Sequence, residues 1–123
     1  MNGGAFLLVV VAGGMGAGLR YLLDLAVAAV AGPRFPWGTL VVNVVGSFAL
    51  GIVVGAAPDP SWIAVLGVGL LGGFTTFSAV ATASAVLLTE GRRVASLVNA
   101  LGTLVLTAGA AGLGLILGAV TAG

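Results

Sequence analysis

The sequence contains no cysteine and no histidine in its 123 residues. These absences exclude disulfide bonds and thiol chemistry, and they remove the usual ligands of transition metals. Charge is also scarce: four arginines and three acidic residues make up 6% of the chain, whereas a soluble domain is about one-quarter charged. The net charge of +1 gives no basic surface for nucleic acid. No nucleophile lies in a pattern with a general base, so we expect no enzymatic activity.

Apolar residues, in contrast, make up 60% of the chain. A membrane-spanning helix needs about 20 mostly apolar residues. Four segments meet this requirement: 4–30, 37–57, 62–89 and 94–120. The turns between them, at 32–36, 58–61 and 90–93, combine turn-forming residues with charge. The sequence therefore predicts an all-α membrane protein with four transmembrane helices in one domain, residues 1–123, and the shortness of the turns makes consecutive helices antiparallel neighbours.

Glycine is abundant, with 22 residues. Several glycines are four residues apart: Gly14 and Gly18, Gly51 and Gly55, Gly69 and Gly73, Gly114 and Gly118. Small residues at this spacing let two helix backbones approach closely in lipid, where burial of apolar surface does not drive association. We expect most of these pairs to mark close contacts between helices.

Residues 72–78 read Gly-Gly-Phe-Thr-Thr-Phe-Ser and lie inside the apolar third segment. Backbone rich in glycine and hydroxyl groups is tolerated at membrane depth only where protein or a wet cavity surrounds it. The third segment is also longer than one span, which suits two half-helices that meet at a break and leave backbone groups free to bind ions. We predict a third helix broken near its middle, with a path for a solute or an ion beside it.

Two further rows of polar residues lie in the second and fourth segments. Residues four apart share one face of a helix. The second-segment row is Thr39, Asn43 and Ser47, and the fourth-segment row is Asn99, Thr103 and Thr107, which Ser96 extends. A single Ser or Thr often bonds a carbonyl of its own helix and carries little weight. Two rows beside a polar break favour a wet or ion-lined path, and the alternative is that they only join helices.

The acids and bases of the chain all lie away from mid-membrane depth. Arg20 and Asp24 are four residues apart near the end of the first helix, where we expect them to form a local ion pair. The polar rows instead supply hydroxyls, amide N–H groups and phenylalanine ring edges, which are neutral donors. Such donors suit a small anion better than a cation, because a fully charged residue would hold the anion too tightly for passage.

Four stretches resemble the Fluc/CrcB family of fluoride channels, and the resemblance covers nearly the whole chain. They are Gly-Ala-Gly-Leu-Arg-Tyr (16–21), Trp-Gly-Thr-Leu-Val-Val-Asn-Val-Val-Gly-Ser-Phe (37–48), the 72–78 stretch and Glu-Gly-Arg (90–92). The second and third of these are specific. The resemblance implies a multi-pass plasma-membrane channel subunit through which fluoride leaves the cytoplasm passively. It also implies an antiparallel two-subunit assembly with two fluoride paths and a central structural sodium ion at the third-helix break.

The resemblance also assigns roles to individual residues. The implied fluoride path consists of Asn43, Phe77, Ser78, Asn99, Thr103 and Thr107. Within it, Asn43 is the pore-lining asparagine and Phe77 is the first aromatic ring that coordinates fluoride. The sodium ion is bound by the backbone carbonyls of Gly72 and Thr75.

The chain departs from the family pattern directly after this motif. The pattern continues with a second phenylalanine, a hydroxyl residue and an acid, and this chain has Val80, Ala81 and Ala83 at those positions. Valine has no aromatic edge, so at least one anion path loses part of its coordination. In a homodimer, twofold symmetry would alter both paths alike.

The arginines lie on one side of the predicted bundle. The turn that carries Arg34 and the turn that carries Arg92 and Arg93 share a side, with Arg20 near it, while the opposite side has no Lys or Arg. The positive-inside rule then places both termini outside the cytoplasm. A single orientation requires a different polypeptide as the antiparallel partner, so we favour one half of a heterodimeric channel.

Three alternatives remain open from the sequence. The first is a homodimer that inserts in both orientations, and the second is a nonconducting structural subunit, which Val80 keeps in view. The third is a small multidrug/proton antiporter. That class depends on a buried carboxylate in the first helix, where this chain has only Asp24, near the helix end.

Overall fold

The computed structural model describes residues 3–56 and 60–122. Within them, four helical segments are long and apolar enough to cross a membrane: Gly3–Ala31, Trp37–Ala56, Ile63–Thr89 and Arg93–Ala122. The predicted all-α architecture with four spans is therefore confirmed. The second predicted turn is covered only in part, because Pro58 and Asp59 lie outside the described residues.

Glycines end two of the helices and set the turns at one end of the bundle. Helix α1 (Gly3–Ala31) stops at Gly32, whose φ of 78° is left-handed and suits a residue without Cβ. Helix α2 (Trp37–Ala56) follows after the 32–36 turn. The turn at 90–93 contains Gly91, with φ 76°. There the Arg92 N–H donates to the Leu87 carbonyl across the end of the third span.

The third span is built from several short elements. It begins with α3 (Pro60–Trp62), continues as a π-helix (Ile63–Leu71) and a single turn, α4 (Gly72–Phe74), and resumes as α5 (Phe77–Thr89). Thr75 and Thr76 between α4 and α5 have extended backbone, with ψ of 155° and 117°. A π-helix of nine residues is unusual, and with the extended pair it makes this span the least regular of the four.

Helix α6 (Arg93–Ala122) packs most extensively on α2. Two of the four predicted glycine pairs are at this contact. A Cβ on Gly51 would collide with the Ala111 carbonyl, and a Cβ on Gly114 would collide with the Phe48 carbonyl. Gly55 and Gly118 are in equally close contact with the opposite backbone. The glycines therefore let two helix backbones touch directly, as the spacing predicts.

Helix α1 packs on the π-helix, α2 and α4, and one of the two remaining glycine pairs lies at these contacts, so most of the four pairs mark helix contacts as expected. Gly69 and Gly73 do lie against the backbone of α1. Gly14 and Gly18, however, have no atom of the described residues within 4 Å of an added Cβ. The contact on α1 is made by Gly16, whose added Cβ would collide with the Leu70 carbonyl. Spacing alone does not determine which of several glycine faces meets a neighbour.

The predicted ion pair between Arg20 and Asp24 is not found among the described residues. The Asp24 carboxylate lies against Gly38 at the start of α2, where a Cβ would collide with Oδ1. Arg20 Nε is buried without a hydrogen-bond partner among the described residues. Packing of α1 on α2 therefore separates the two charges that helical spacing brings together.

Candidate functional site

Asn43 of α2 binds the extended backbone between α4 and α5. Its Oδ1 accepts a hydrogen bond from the Thr76 N–H at 2.8 Å, and its Nδ2 donates to the Thr76 carbonyl at 2.9 Å. Membrane interior offers no water to such peptide groups, and a carboxamide satisfies both because it carries a donor and an acceptor. The buried Asn43 side chain, only 6% exposed, therefore stabilises the interruption of the third span.

Among the backbone carbonyls that lose their usual helical donors at the interruption are those of Gly72 and Thr75. In an α-helix each N–H donates to the carbonyl four residues earlier. The Thr76 N–H donates instead to Asn43, which removes the donor from the Gly72 carbonyl. The Ala79 N–H donates at 3.2 Å to Thr76 Oγ1, which caps α5 and removes the donor from the Thr75 carbonyl. Gly72 and Thr75 are the two residues to which the sequence resemblance assigns sodium binding.

Beside the interruption lies a cavity of about 280 Å³. At about 30 Å³ per water molecule, this volume corresponds to a small cluster of waters. Its lining residues come from α2, the interrupted span and α6: Asn43, Ser47, Thr75, Thr76, Phe77, Val80, Ala100, Thr103, Leu104 and Thr107. The cavity therefore brings both predicted polar rows and the 72–78 stretch to one place.

The lining of this cavity is uncharged and combines polar groups with apolar side chains. Its lining supplies hydroxyls, one carboxamide and peptide groups, with no acidic or basic side chain. Phe77 is 85% exposed at the cavity, so its ring edge is accessible, whereas Val80 is 8% exposed. Neutral donors with an accessible aromatic edge can stabilise a small anion without binding it so tightly that passage stops.

Six residues were predicted to form the anion path, and four of them line the cavity: Asn43, Phe77, Thr103 and Thr107. The other two do not. Ser78 is exposed, and its Oγ lies 3.2 Å from Thr76 Oγ1. Asn99 is turned toward α5 and is 2% exposed.

Asn99 forms part of a hydrogen-bonded contact between α5 and α6. Its Nδ2 donates to Ser84 Oγ at 2.9 Å and to the Val80 carbonyl at 3.4 Å. Ser96 Oγ donates to the Ser84 carbonyl at 2.7 Å. Sequence reasoning missed Ser84, although it lies seven residues after Phe77 and thus on the same face of α5. That spacing was the available signal.

Comparison with known proteins gives consistent matches over most of the chain. The family model described as CrcB-like protein, Camphor Resistance (CrcB), matches residues 7–115. A Rubrobacter xylanophilus protein named fluoride-specific ion channel FluC 1 is 51% identical over 100 residues, which cover 80% of this chain and 81% of the relative. A Leifsonia xyli protein of the same name is 46% identical over 117 residues, which cover 91% and 85%.

A third relative, the fluoride-specific ion channel FluC of Shewanella halifaxensis, is 42% identical over 97 residues, which cover 76% of this chain and 78% of the relative. These relatives are named as ion channels, which agrees with the expectation that the chain is not an enzyme. The match of the family model to residues 7–115, together with these identities, establishes that the chain belongs to the CrcB family.

Proposed function

We propose that this chain is a subunit of a fluoride-selective channel through which fluoride leaves the cytoplasm by passive permeation. The observation that carries the proposal is the cavity of about 280 Å³, where neutral polar groups of α2, the interrupted span and α6 meet beside an exposed phenylalanine ring. Relatives that are 42% to 51% identical are named fluoride-specific ion channels, which supports fluoride as the anion.

A structural sodium ion fits the carbonyls of Gly72 and Thr75. Both lack their helical donors because the Thr76 and Ala79 N–H groups bond elsewhere. Carbonyl oxygens freed at a helix break are the groups that bind sodium in broken transmembrane helices. Two carbonyls are too few for a hard cation, so the same pair from an antiparallel second subunit would complete the site.

A second subunit is also supported by the backbone of the interruption. Gly72 is exposed and its carbonyl lacks the helical donor, and an unsatisfied peptide group at mid-span is better placed against protein than against lipid. Arg92 Nη1 donates to the Arg34 carbonyl, which joins the two arginine-bearing turns at one end of the bundle. Arginines at one end favour a single orientation in the membrane, and an antiparallel partner is then a different polypeptide. We therefore favour a heterodimer in the plasma membrane, with this chain in one orientation.

The alternatives differ in what they require of the cavity. A homodimer would place Val80 in both paths, and a nonconducting subunit would leave conduction to the partner's residues. The antiporter alternative is disfavoured, because no carboxylate lines the cavity and Asp24 lies against the start of α2. Both remaining alternatives are outcomes of the two experiments that follow.

The first experiment measures anion flux. The chain, purified with any partner that accompanies it, is reconstituted into liposomes loaded with fluoride or with chloride, and efflux is followed with ion-selective electrodes. We expect rapid fluoride efflux and little chloride efflux, because neutral donors and a ring edge favour the small anion. Equal efflux of both anions would contradict the proposal. Absence of fluoride efflux from a verified assembly of this chain alone, with efflux restored by a partner, would favour the nonconducting subunit.

The second experiment determines orientation. The chain lacks cysteine, so Ser61→Cys and Glu90→Cys each introduce one thiol at opposite ends of the bundle. Glu90 is preferred to the adjacent Gly91, whose φ of 76° disfavours a side chain. An impermeant thiol reagent should label position 61 in intact cells and position 90 only after permeabilisation. Comparable labelling of both positions in intact cells would support a homodimer inserted in both orientations.

A further inference from the structure

Two buried side-chain oxygens of α6 have no hydrogen-bond partner among residues 3–56 and 60–122: Asn99 Oδ1 and Thr103 Oγ1. Both side chains are more than nine-tenths buried, at 2% and 7% exposed. They lie one helical turn apart on one face, where Cβ atoms are about 5–6 Å from each other. Buried polar atoms are almost always satisfied by protein or by ordered water. The two oxygens therefore indicate a shared ligand.

The orientation of Asn99 limits the chemistry of that ligand. Its Nδ2 faces the Val80 carbonyl and Ser84 Oγ. A carbonyl only accepts hydrogen bonds, so the amide group must remain on that side and Oδ1 must face away from it. An anion is excluded beside Oδ1, which is an acceptor. A hard cation would find only two oxygen ligands here, Asn99 Oδ1 and Thr103 Oγ1, which are too few to hold it. Water both donates and accepts, so a single molecule can hydrogen-bond to an amide oxygen and to a hydroxyl.

We propose that a buried water bridges Asn99 Oδ1 and Thr103 Oγ1 and that this pair presents one O–H donor to the cavity. The count of hydrogens is fixed. The water supplies two and the Thr103 hydroxyl one. One hydrogen is donated to Asn99 Oδ1, and one forms the bond between the water and Thr103 Oγ1. The third remains free, on either the water oxygen or Thr103 Oγ1.

That remaining O–H gives Asn99 an indirect role in anion passage, and this role rests on the proposed fluoride conduction. Thr103 and Val80 both line the cavity, and the Val80 side chain has no donor. The hydrogen held by the water and Thr103 is therefore a donor that this wall offers to an anion. Asn99 does not line the cavity, so it acts as a positioning residue through the water.

A double-mutant cycle tests the shared water. Fluoride flux per assembled complex is compared for Asn99→Leu, Thr103→Val and the double variant. Each single change removes one end of the bridge, and we expect each to lower flux on the order of tenfold, which is what one hydrogen bond is worth. The double variant should be no slower than the slower single variant, because both act through one water. Independent contributions would instead multiply to about 100-fold, and that result would overturn the proposal.

Two further variants separate this role from packing. Thr103→Ser keeps the hydroxyl and should retain most of the flux, whereas a packing role of the Thr103 methyl would make it as slow as Thr103→Val. Ser96→Ala removes the bond to the Ser84 carbonyl from the same contact between α5 and α6 without touching Asn99. It should leave flux unchanged. Loss of flux in Ser96→Ala equal to that in Asn99→Leu would contradict the proposal.

A direct measurement covers the case in which Asn99→Leu does not assemble. A structure that resolves ordered waters should show density within hydrogen-bond distance of both Asn99 Oδ1 and Thr103 Oγ1, and Thr103→Val should lose it. No density between the oxygens in the unmodified protein would overturn the bridge. This result does not depend on transport, so absence of fluoride flux would contradict the proposed function and leave the water site to be judged by the density alone.

Discussion

Replacing Asn43 with leucine is expected to abolish most fluoride flux and to lower the thermal unfolding midpoint. The change removes both hydrogen bonds to the Thr76 peptide and leaves a part-buried N–H and a part-buried C=O without partners. Each such group costs about 1–3 kcal/mol. Because these groups fix the extended backbone beside the cavity, we expect flux per assembled complex to fall on the order of 100-fold. Flux is measured in liposomes and unfolding in detergent.

Two controls separate the hydrogen bonds from the polarity of the cavity. Asn43→Asp keeps an acceptor for the Thr76 N–H and loses the donor to the Thr76 carbonyl. Its unfolding midpoint should therefore lie between that of Asn43→Leu and that of the unmodified protein. Ser47→Ala changes a polar residue on the same face of α2 that also lines the cavity, without altering the interrupted backbone. It should leave the unfolding midpoint nearly unchanged. An Asn43→Leu variant with normal flux and stability would refute this account of the site.

Replacing Gly114 with valine is expected to prevent assembly of the bundle. An added Cβ would collide with the Phe48 carbonyl and lie 2.9 Å from the Ile52 nitrogen, both backbone atoms of α2. Backbone of a regular helix yields less readily than a side chain, so α2 and α6 must separate. Overpacking of this kind costs about 1–3 kcal/mol, and more where it is not relieved. We expect loss of the monodisperse species on size-exclusion chromatography.

Gly112→Val is the matched control for this prediction. Gly112 lies two residues away in α6, and no atom of the described residues is within 4 Å of its added Cβ. Both substitutions replace glycine with the same β-branched residue in the same helix, so their intrinsic effect on helix formation is similar. The control should assemble normally. Equal behaviour of the two variants would mean that the contact between α2 and α6 does not depend on glycine.

Two features of α1 show what helical spacing leaves open. The spacing of Gly14 and Gly18 on α1 is as good as that of Gly114 and Gly118 on α6, yet only the second pair meets another helix within the subunit. Periodicity defines faces of a helix, and it leaves open which face a neighbour covers. The ion pair predicted for Arg20 and Asp24 is not found among the described residues for the same reason, since packing of α1 on α2 places the Asp24 carboxylate against Gly38.

The sequence by itself determined the four spans, their turns and the two polar rows, because these features depend on hydropathy and helical periodicity within one segment. Only the tertiary structure decided that Asn43 binds Thr76, 33 residues away, and that Asn99 turns toward Ser84 while Thr103 lines the cavity. The rotation of each helix about its axis is set by packing between helices. That packing is a property of the assembled bundle and is not encoded in the spacing of any one segment.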